Sequence, residues 1–185
     1  VTVDGVSHRI PQPFIVFATQ NPTGASGTQL LPDSQMDRFT VRMSIGYPEP
    51  EDERNMVLRR QGGNPLALIR PVVTREQLAA MQDEAAAVYM KAELIDYTVS
   101  LIGATRAHPL ILRGASPRAT LSVTAMAKSV AYVQGRDYVV PKDVQTVFVS
   151  TVAHRLLMSP EAEAKAITPE TVLEEILKRT PAPRV

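Results

Sequence analysis

The sequence has no cysteine and no tryptophan, and the missing cysteine sets the first limits on function. With no cysteine among the 185 residues, disulfides, thiolate zinc sites and cysteine nucleophiles are excluded. The three histidines, His8, His108 and His154, lie far apart, and none shares a helical face with a carboxylate at metal-ligand spacing. We therefore expect no metal site. The lack of cysteine also favours a reducing compartment, and we expect a cytoplasmic location.

Long apolar runs and an excess of one charge are missing as well. No apolar stretch approaches the roughly 20 residues that a membrane-spanning helix requires, so we expect no membrane span. Lysine and arginine total 20 against 19 acidic residues, and this balance gives no reason to expect nucleic acid as a partner. The hydrophobic fraction of 44% is sufficient for a core. Function must therefore depend on individually placed residues.

The first third of the chain predicts short strands and helices joined by glycine- and proline-rich turns. Residues 1–10 alternate in polarity around Asp4-Gly5, which predicts a β-hairpin. The apolar runs at 14–19 and 40–48 predict two further strands, and we expect both faces of the first to be covered because its polarity does not alternate. Helical patterns occur in "PDSQMDRF" and "EPEDERNMVLRRQGG".

The remainder of the chain predicts a bundle of helices. Thr74 and Gln77 approximate a capping box, and apolar residues recur at helical spacing from there onward. The stretch at 61–71, with its glycines and prolines, separates the two parts, so we expect a domain at 1–64 and a helical domain at 65–185. The predicted helices are Thr74 to about Val88, Ala92–His108, Pro117–Val133, Pro141–Met158 and Pro169–Arg179.

The first part is too small to cover itself. Two or three strands and two helices cannot enclose a strand that is buried on both faces. The sequence also begins without methionine and runs directly into strand-like residues. We expect this chain to be part of a longer protein, with more chain or another molecule completing the first part.

Two amide side chains stand where the predicted strand at 14–19 ends. In open parallel α/β sheets, ligands bind at the carboxyl ends of the strands, and Gln20 and Asn21 would lie there. A carboxamide can hold a water or a phosphate oxygen without adding charge. The alternative is that Asn21-Pro22 only begins a turn.

Two arginines are the other candidates for chemistry. Arg38 follows Asp37 between the apolar Met36 and Phe39, and a guanidinium anchored in this way can neutralise charge on a phosphate of a neighbouring subunit. The alternative is a surface pair of Asp37 and Arg38. Arg118 lies in the first turn of a predicted helix, where a cation opposes the macrodipole unless an anion is near.

The start of that helix is well marked. Ser116 is available as the N-cap, and Pro117 occupies the first helical position. The helix start and Arg118 could therefore bind an anion together. The alternative is a well-capped helix whose Arg118 side chain points into solvent.

These candidates lie in motifs that resemble one known family. "VFATQNP", "LPDSQMDRF", "IGYPEPEDER" and "GASPRAT" follow one another in the order seen in MoxR-type AAA+ ATPases, and residues 138–177 resemble the C-terminal helical region of that family. The resemblance covers nearly the whole chain. It implies an α/β remnant of a P-loop NTPase core followed by an all-α helical lid bundle.

The resemblance also implies roles for the candidate residues. Asn21 corresponds to the sensor-1 residue that orients the attacking water, and Arg38 to the arginine finger presented to ATP in an adjacent subunit. Arg118 resembles the sensor-2 arginine, which couples the lid to the nucleotide state. The loop "GTQLLPDSQM" departs from the family in its side chains but retains Asp37 and Arg38.

A larger departure is the absence of the phosphate-binding machinery. None of the nine glycines is followed by lysine, so there is no G-x-x-x-x-G-K-[ST] loop, and no apolar strand ends in the paired acids that hold Mg²⁺. We expect the chain alone neither to bind ATP tightly nor to hydrolyse it. It matches the second half of an AAA+ module, from beyond the Mg²⁺-binding acids through the lid.

For the intact protein, the resemblance implies ATP and Mg²⁺ as cofactors and self-association in a ring, expected to be a hexamer. It also implies chaperone-like remodelling or maturation of partner proteins, with a von Willebrand factor A-type protein as one kind of partner. Two alternatives remain open. One is a non-catalytic helical protein-interaction module; the other is a nucleic-acid motor, which the near-neutral charge disfavours.

Overall fold

A computed structural model describes residues 1–20 and 31–184 of the chain, so Asn21 lies outside the described residues. The helices are α1 Asp33–Met36, α2 Pro50–Gln61, α3 Arg75–Ala87, α4 Ala92–Ala107, α5 Pro117–Val133, α6 Pro141–Val152, α7 Pro160–Ala164 and α8 Pro169–Arg179. The strands are β1 Thr2–Val3, β2 Val6–Ser7, β3 Ile111–Arg113 and β4 Leu157–Met158. No helix in the described ranges combines the length and apolarity needed to cross a membrane.

Contacts between Cα atoms divide the chain into two compact units. The first unit comprises 1–15 and 43–81, and the second comprises 16–42 and 82–185. These units do not test the domain boundary that the sequence predicts at residue 64, which stays a prediction.

The first unit contains the predicted hairpin. Strand β1 pairs antiparallel with β2, and Val3 faces Val6 across a two-residue turn. Both turn residues, Asp4 and Gly5, have positive φ angles, 50° and 79°. This is the backbone that favours Asp-Gly in tight hairpins, so the local signal predicted the structure correctly.

The predictions of two further strands at 14–19 and 40–48 are wrong, since the structure describes both segments and neither is a strand. Neither segment forms a β-ladder, because no described segment pairs with it. Their large side chains are correspondingly exposed: Phe17 is 90% accessible and Ile45 is 99% accessible. The apolar character of these segments is real, but a strand also needs hydrogen-bonding neighbours.

The second unit holds a helical bundle built from α4, α5, α6 and α8. All the buried residues among those described lie between Val88 and Ile176. One face of α5 consists of the buried, mostly small residues Ala119, Val123, Ala127 and Ala131, four residues apart, and α5 packs along α6. The largest fully buried side chain is Phe148 of α6.

An ion pair with a buried carboxylate lies where the bundle's α6 begins. Arg136 donates from both terminal nitrogens to the Asp143 carboxylate, at 2.9 and 2.6 Å. The same carboxylate accepts from the Val140 backbone N–H at 2.8 Å and thereby caps α6. Donating these hydrogen bonds to Asp143 raises the pKa of Arg136. The pair joins the α5–α6 turn to the helix that follows it.

Most of the helix predictions made for residue 74 onward are confirmed, and one helix was predicted too long. Helices α5 and α8 have the predicted bounds, and the Thr74–Gln77 capping box forms at the start of α3, with bonds of 2.7 and 3.1 Å. The helix predicted at Pro141–Met158 ends at Val152 instead. A 3-10 turn follows, and then β4 pairs with β3, so the backbone there bonds to a distant strand rather than to its own helix.

Candidate functional site

The site is centred on the segment 33–42, which carries Arg38 and lies along the helical bundle. Both ends of this segment are bound. Near its start, the Asp33 carboxylate accepts from Arg113 of β3 at 2.7 Å. At its end, the Arg42 backbone N–H donates to the carbonyl of Ser150 in α6 at 3.0 Å.

Between these ends, the Asp37 carboxylate is the main attachment. The Ser116 hydroxyl donates to its oxygens, at 3.2 Å to each, and Arg155 Nη1 donates at 3.2 Å. Arg118 Nε lies 4.0 Å from Asp37 Oδ2. Asp37 therefore bonds to residues of the bundle and is not the partner of its neighbour Arg38.

Arg155 is the most buried charged group at the site, with a side chain only 1% exposed. Besides Asp37, its guanidinium donates to three oxygens: the Thr151 carbonyl at 2.9 Å, the Phe39 carbonyl at 2.8 Å and the Ser122 hydroxyl at 3.0 Å. Burial lowers the pKa of Arg155, and the Asp37 carboxylate opposes that shift. Because a guanidinium keeps its proton in proteins, the buried charge is held by this set of acceptors.

His154 contacts the same segment. Its Nε2 lies 3.0 Å from the Phe39 carbonyl oxygen, and because a carbonyl only accepts, the bond requires a proton on Nε2. Its Nδ1 is buried without a hydrogen-bond partner among the described residues. Burial is the main cause that lowers the pKa of His154, which favours the neutral ring. His154 is thus a buried side chain of the bundle that also bonds to the Phe39 carbonyl.

The loop before α5 is held against α4 by close packing. A Cβ on Gly114 would lie 2.7 Å from the backbone N and Cα of Arg106, so only glycine fits there without displacement. The next residue is tied at both polar groups: Ala115 N–H donates to the Thr105 hydroxyl at 3.1 Å, and its carbonyl accepts from Arg106 at 2.9 Å. This packing determines where α5 begins.

Ser116 and Arg118 differ in part from the sequence-based interpretation. Ser116 does occupy the N-cap position of α5, but its hydroxyl makes no cap bond and donates to Asp37 instead. Arg118 is 53% exposed, and the anion nearest to it among the described residues is Asp37 of the same chain. Tertiary folding thus places a carboxylate of the same chain near this helix start.

Arg38 itself is exposed. It makes no ion pair with the part of the chain that the structure describes. Its two flanks are held, since Asp37 and Phe39 both bond to the bundle while Met36 and Phe39 are partly buried. The structure therefore brings Arg118 next to the residue that precedes Arg38, and Asn21 lies outside the described residues.

Sequence reasoning did not identify Arg155, Ser116 or His154 as neighbours of this segment. The one available signal was Arg155 itself, an arginine in the apolar run "TVFVSTVAHRLLM". A charge at a core position requires a partner, but the sequence does not say which one. No three His, Asp or Glu side chains within residues 1–20 and 31–184 are placed to hold a metal ion.

Two family models match the chain. Residues 1–41 match the "ATPase family associated with various cellular activities (AAA)", and residues 103–176 match the "AAA lid domain". The first match includes Arg38, and the second includes Arg118 and Arg155. The site thus joins residues of the matched ATPase region to residues of the matched lid.

Individual relatives agree with these matches. The chain is 37% identical to chaperone MoxR1 of Mycobacterium tuberculosis, over all of this chain and 51% of that protein. It is 34% identical to the uncharacterised protein YeaC of Bacillus subtilis, over 99% of this chain and 57% of that protein. A crystal structure of a candidate ATPase from Cytophaga hutchinsonii superposes with a TM-score of 0.92 at 30% identity, covering 100% of this chain and 58% of that one.

The fold is therefore that of an AAA+ ATPase, represented by a piece of the α/β core and its helical lid. Within that class, the chain belongs to the MoxR-type AAA+ ATPases. It spans about half the length of the curated relatives it matches.

Proposed function

We propose that this chain is the nucleotide-responsive half of a MoxR-type AAA+ ATPase, in which Arg38 is the arginine finger. The observation that carries the proposal is the arrangement around Asp37. Arg38 is exposed, while the residues on both sides of it are bonded to the lid through Arg155 and Ser116. A free guanidinium on an anchored backbone is the arrangement that a group acting on a neighbouring subunit needs.

The chain's own residues suit only part of an ATP site. Arg38 and Arg118 are exposed cations that can bind phosphate oxygens, whereas the sequence has no phosphate-binding loop. When bound, ATP with Mg²⁺ supplies the phosphoryl group that is transferred to water. In our proposal Arg38 neutralises charge on that group in trans, Arg118 acts as sensor 2, and Asn21 orients the attacking water as sensor 1.

The same proposal includes the assembly and its task. The intact protein forms a ring, which we take to be a hexamer, and converts ATP hydrolysis into chaperone-like remodelling or maturation of a partner protein. A von Willebrand factor A-type protein is one such partner. Support for the task comes from the similarity to a relative named as a chaperone. The chain alone is proposed to be inactive and to reside in the cytoplasm.

The test is Arg38→Ala in the full-length protein. We expect ATP turnover to fall by about 10³-fold or more, with the Kd for ATP changed less than about threefold, because a finger acts on the transition state. Arg179→Ala is the matched control. It removes an exposed helix arginine whose one ion pair among the described residues is with Glu175, four residues earlier, and its turnover should equal wild type.

Mixing experiments test action in trans. Subunits with Arg38→Ala are mixed with subunits of a variant that cannot bind ATP, each inactive alone. Mixed rings contain interfaces where intact fingers face intact ATP sites, so turnover should recover. Wild-type turnover in the Arg38→Ala protein would overturn the finger assignment and would favour the alternative, a non-catalytic helical module.

A further inference from the structure

The lid contributes a group that bonds to both sides of Arg38. Arg155 Nη1 donates to the Asp37 side chain at 3.2 Å, and Nη2 donates to the Phe39 carbonyl at 2.8 Å. The bonded atoms belong to the residues immediately before and after Arg38. One buried guanidinium therefore restrains the backbone on which Arg38 is carried.

The rest of the guanidinium is itself held in place. Nε donates to the Thr151 carbonyl at 2.9 Å, and Nη2 also donates to the Ser122 hydroxyl at 3.0 Å. These acceptors belong to α6 and α5, the central helices of the lid. With its side chain 1% exposed, Arg155 has little freedom to leave, so the position of residues 37–39 follows the position of those two helices.

We propose that Arg155 is a positioning residue for Arg38: it links the lid to the backbone of the arginine finger and thereby sets where the finger points. This inference rests on the proposed function of Arg38. Arg155 touches no substrate in this arrangement. Its contribution is that a movement of α5 and α6 is transmitted to the finger.

The first substitution that tests the link between Arg155 and the backbone around Arg38 is Arg155→Lys. Arg155→Lys retains the charge, but one ammonium group cannot replace a planar fork that reaches Asp37, Phe39, Ser122 and Thr151 together. We expect Arg155→Lys in the full-length protein to lower kcat for ATP at least tenfold, with KM within about threefold. Asp37→Asn is the second variant, because Asp37 is 30% exposed and better able to tolerate substitution. It should lower kcat in the same direction.

Three measurements distinguish positioning of Arg38 from a purely structural role of Arg155. Asp143→Asn breaks another guanidinium–carboxylate pair of the bundle, whose carboxylate is buried, and should reduce stability without a specific loss of kcat. Hydrogen exchange should accelerate in residues 36–39 of the Arg155→Lys protein while α8 remains protected. In mixed rings, Arg155→Lys should be rescued by ATP-binding-deficient subunits, as Arg38→Ala is, because the defect lies in the subunit that donates the finger.

The outcomes distinguish the two proposals. If Arg38→Ala retains turnover, the proposed function fails and this inference fails with it. If Arg38→Ala loses turnover while Arg155→Lys and Asp37→Asn retain wild-type kcat and exchange, only the inference is overturned. Loss of kcat in Asp143→Asn equal to that in Arg155→Lys would also overturn it, since general destabilisation would then explain both.

Discussion

Ser116 and Asp37 are joined by a hydrogen bond although 79 positions separate them in the chain: the serine hydroxyl donates to the carboxylate at 3.2 Å. The bond connects the first residue before α5 to the residue before Arg38. It also uses the hydroxyl that would otherwise cap α5. Capping and tertiary attachment thus compete for one side chain, and in this structure the attachment prevails.

Loss of this bond should cost measurable stability. A hydrogen bond to a carboxylate contributes about 1.5–3 kcal/mol, and Asp37 retains Arg155 as a second donor, so we expect Ser116→Ala to lower the free energy of unfolding by about 1–2 kcal/mol. Urea denaturation of the 185-residue chain measures this. Ser129→Ala is the control, because within the described part of the chain the exposed Ser129 hydroxyl bonds to Ala125 of its own helix, and a change below about 0.5 kcal/mol is expected.

A double-mutant cycle shows whether the stability lost in Ser116→Ala comes from the hydrogen bond between Ser116 and Asp37. In an Asp37→Ala background, Ser116→Ala should cost less than in the wild type, because its partner is already gone. Equal costs in both backgrounds would mean that the bond to Asp37 contributes nothing.

Arg118 should contribute to ATP binding by the full-length protein and contribute little to the stability of the fold. It is 53% exposed and 4.0 Å from Asp37, and exposed pairs of this kind contribute about 0–1 kcal/mol. We expect Arg118→Ala to change the unfolding free energy by less than about 1 kcal/mol, but to weaken ATP binding by the full-length protein about tenfold, as for loss of a charge-assisted hydrogen bond. Calorimetric titration measures the affinity, with Arg179→Ala as control. Unchanged affinity would contradict a sensor-2 role.

Substitution by alanine should change the stability of the chain in opposite directions at two glycines, Gly114 and Gly103. Gly114→Ala places a Cβ 2.7 Å from backbone atoms of Arg106 and should destabilise the chain by about 1–3 kcal/mol. Gly103 lies within α4, and apart from its chain neighbours and the backbone of its own helix no described atom lies within 4 Å of its ideal Cβ. Gly103→Ala should therefore stabilise the chain by about 0.5–1 kcal/mol, because alanine restricts the unfolded backbone. Thermal unfolding distinguishes the two, and a stabilising Gly114→Ala would refute the close packing.

His154 should make stability depend on pH. Its pKa in the folded chain is lowered below the ordinary value of 6.5, mainly by burial, with Arg155 and Arg42 adding to the effect and the Phe39 carbonyl and Asp37 opposing it. As the pH falls, the unfolded chain therefore binds this proton first. The contribution to stability is complete above about pH 7, decreases as the pH falls through 6.5, and is lost below the folded pKa.

The comparison that isolates this group is His154→Gln, with urea denaturation at about pH 7.5 and about pH 5.5. The wild-type chain should lose more free energy of unfolding between these values than the variant does. His8 and His108 are present in both proteins and cancel. An identical pH dependence would show that His154 does not take up its proton preferentially in the unfolded state.

How far the sequence predicted the structure depends on whether each signal was local. The Asp4-Gly5 turn, the Thr74–Gln77 capping box and the bounds of α5 formed as expected, since each depends on residues within a few positions. The strand at 14–19 failed because its hydrogen-bonding partners are absent from the described residues. Helix α7 was missed although Ser159 followed by Pro160 is a recognisable start, with Ser159 accepting from Ala162 N–H.

The sequence by itself determined that the second part of this chain is helical and that Arg38 lies between the apolar residues Met36 and Phe39. Its ordered motifs resembled the MoxR-type family to which it belongs. Only the tertiary structure decided that Asp37 bonds to Arg155, 118 positions away, and that the Ser116 hydroxyl leaves its cap to join them. The physical reason is range. Caps and helical periodicity are satisfied within a few residues, whereas a buried guanidinium takes whichever acceptors the packed bundle brings within about 3 Å.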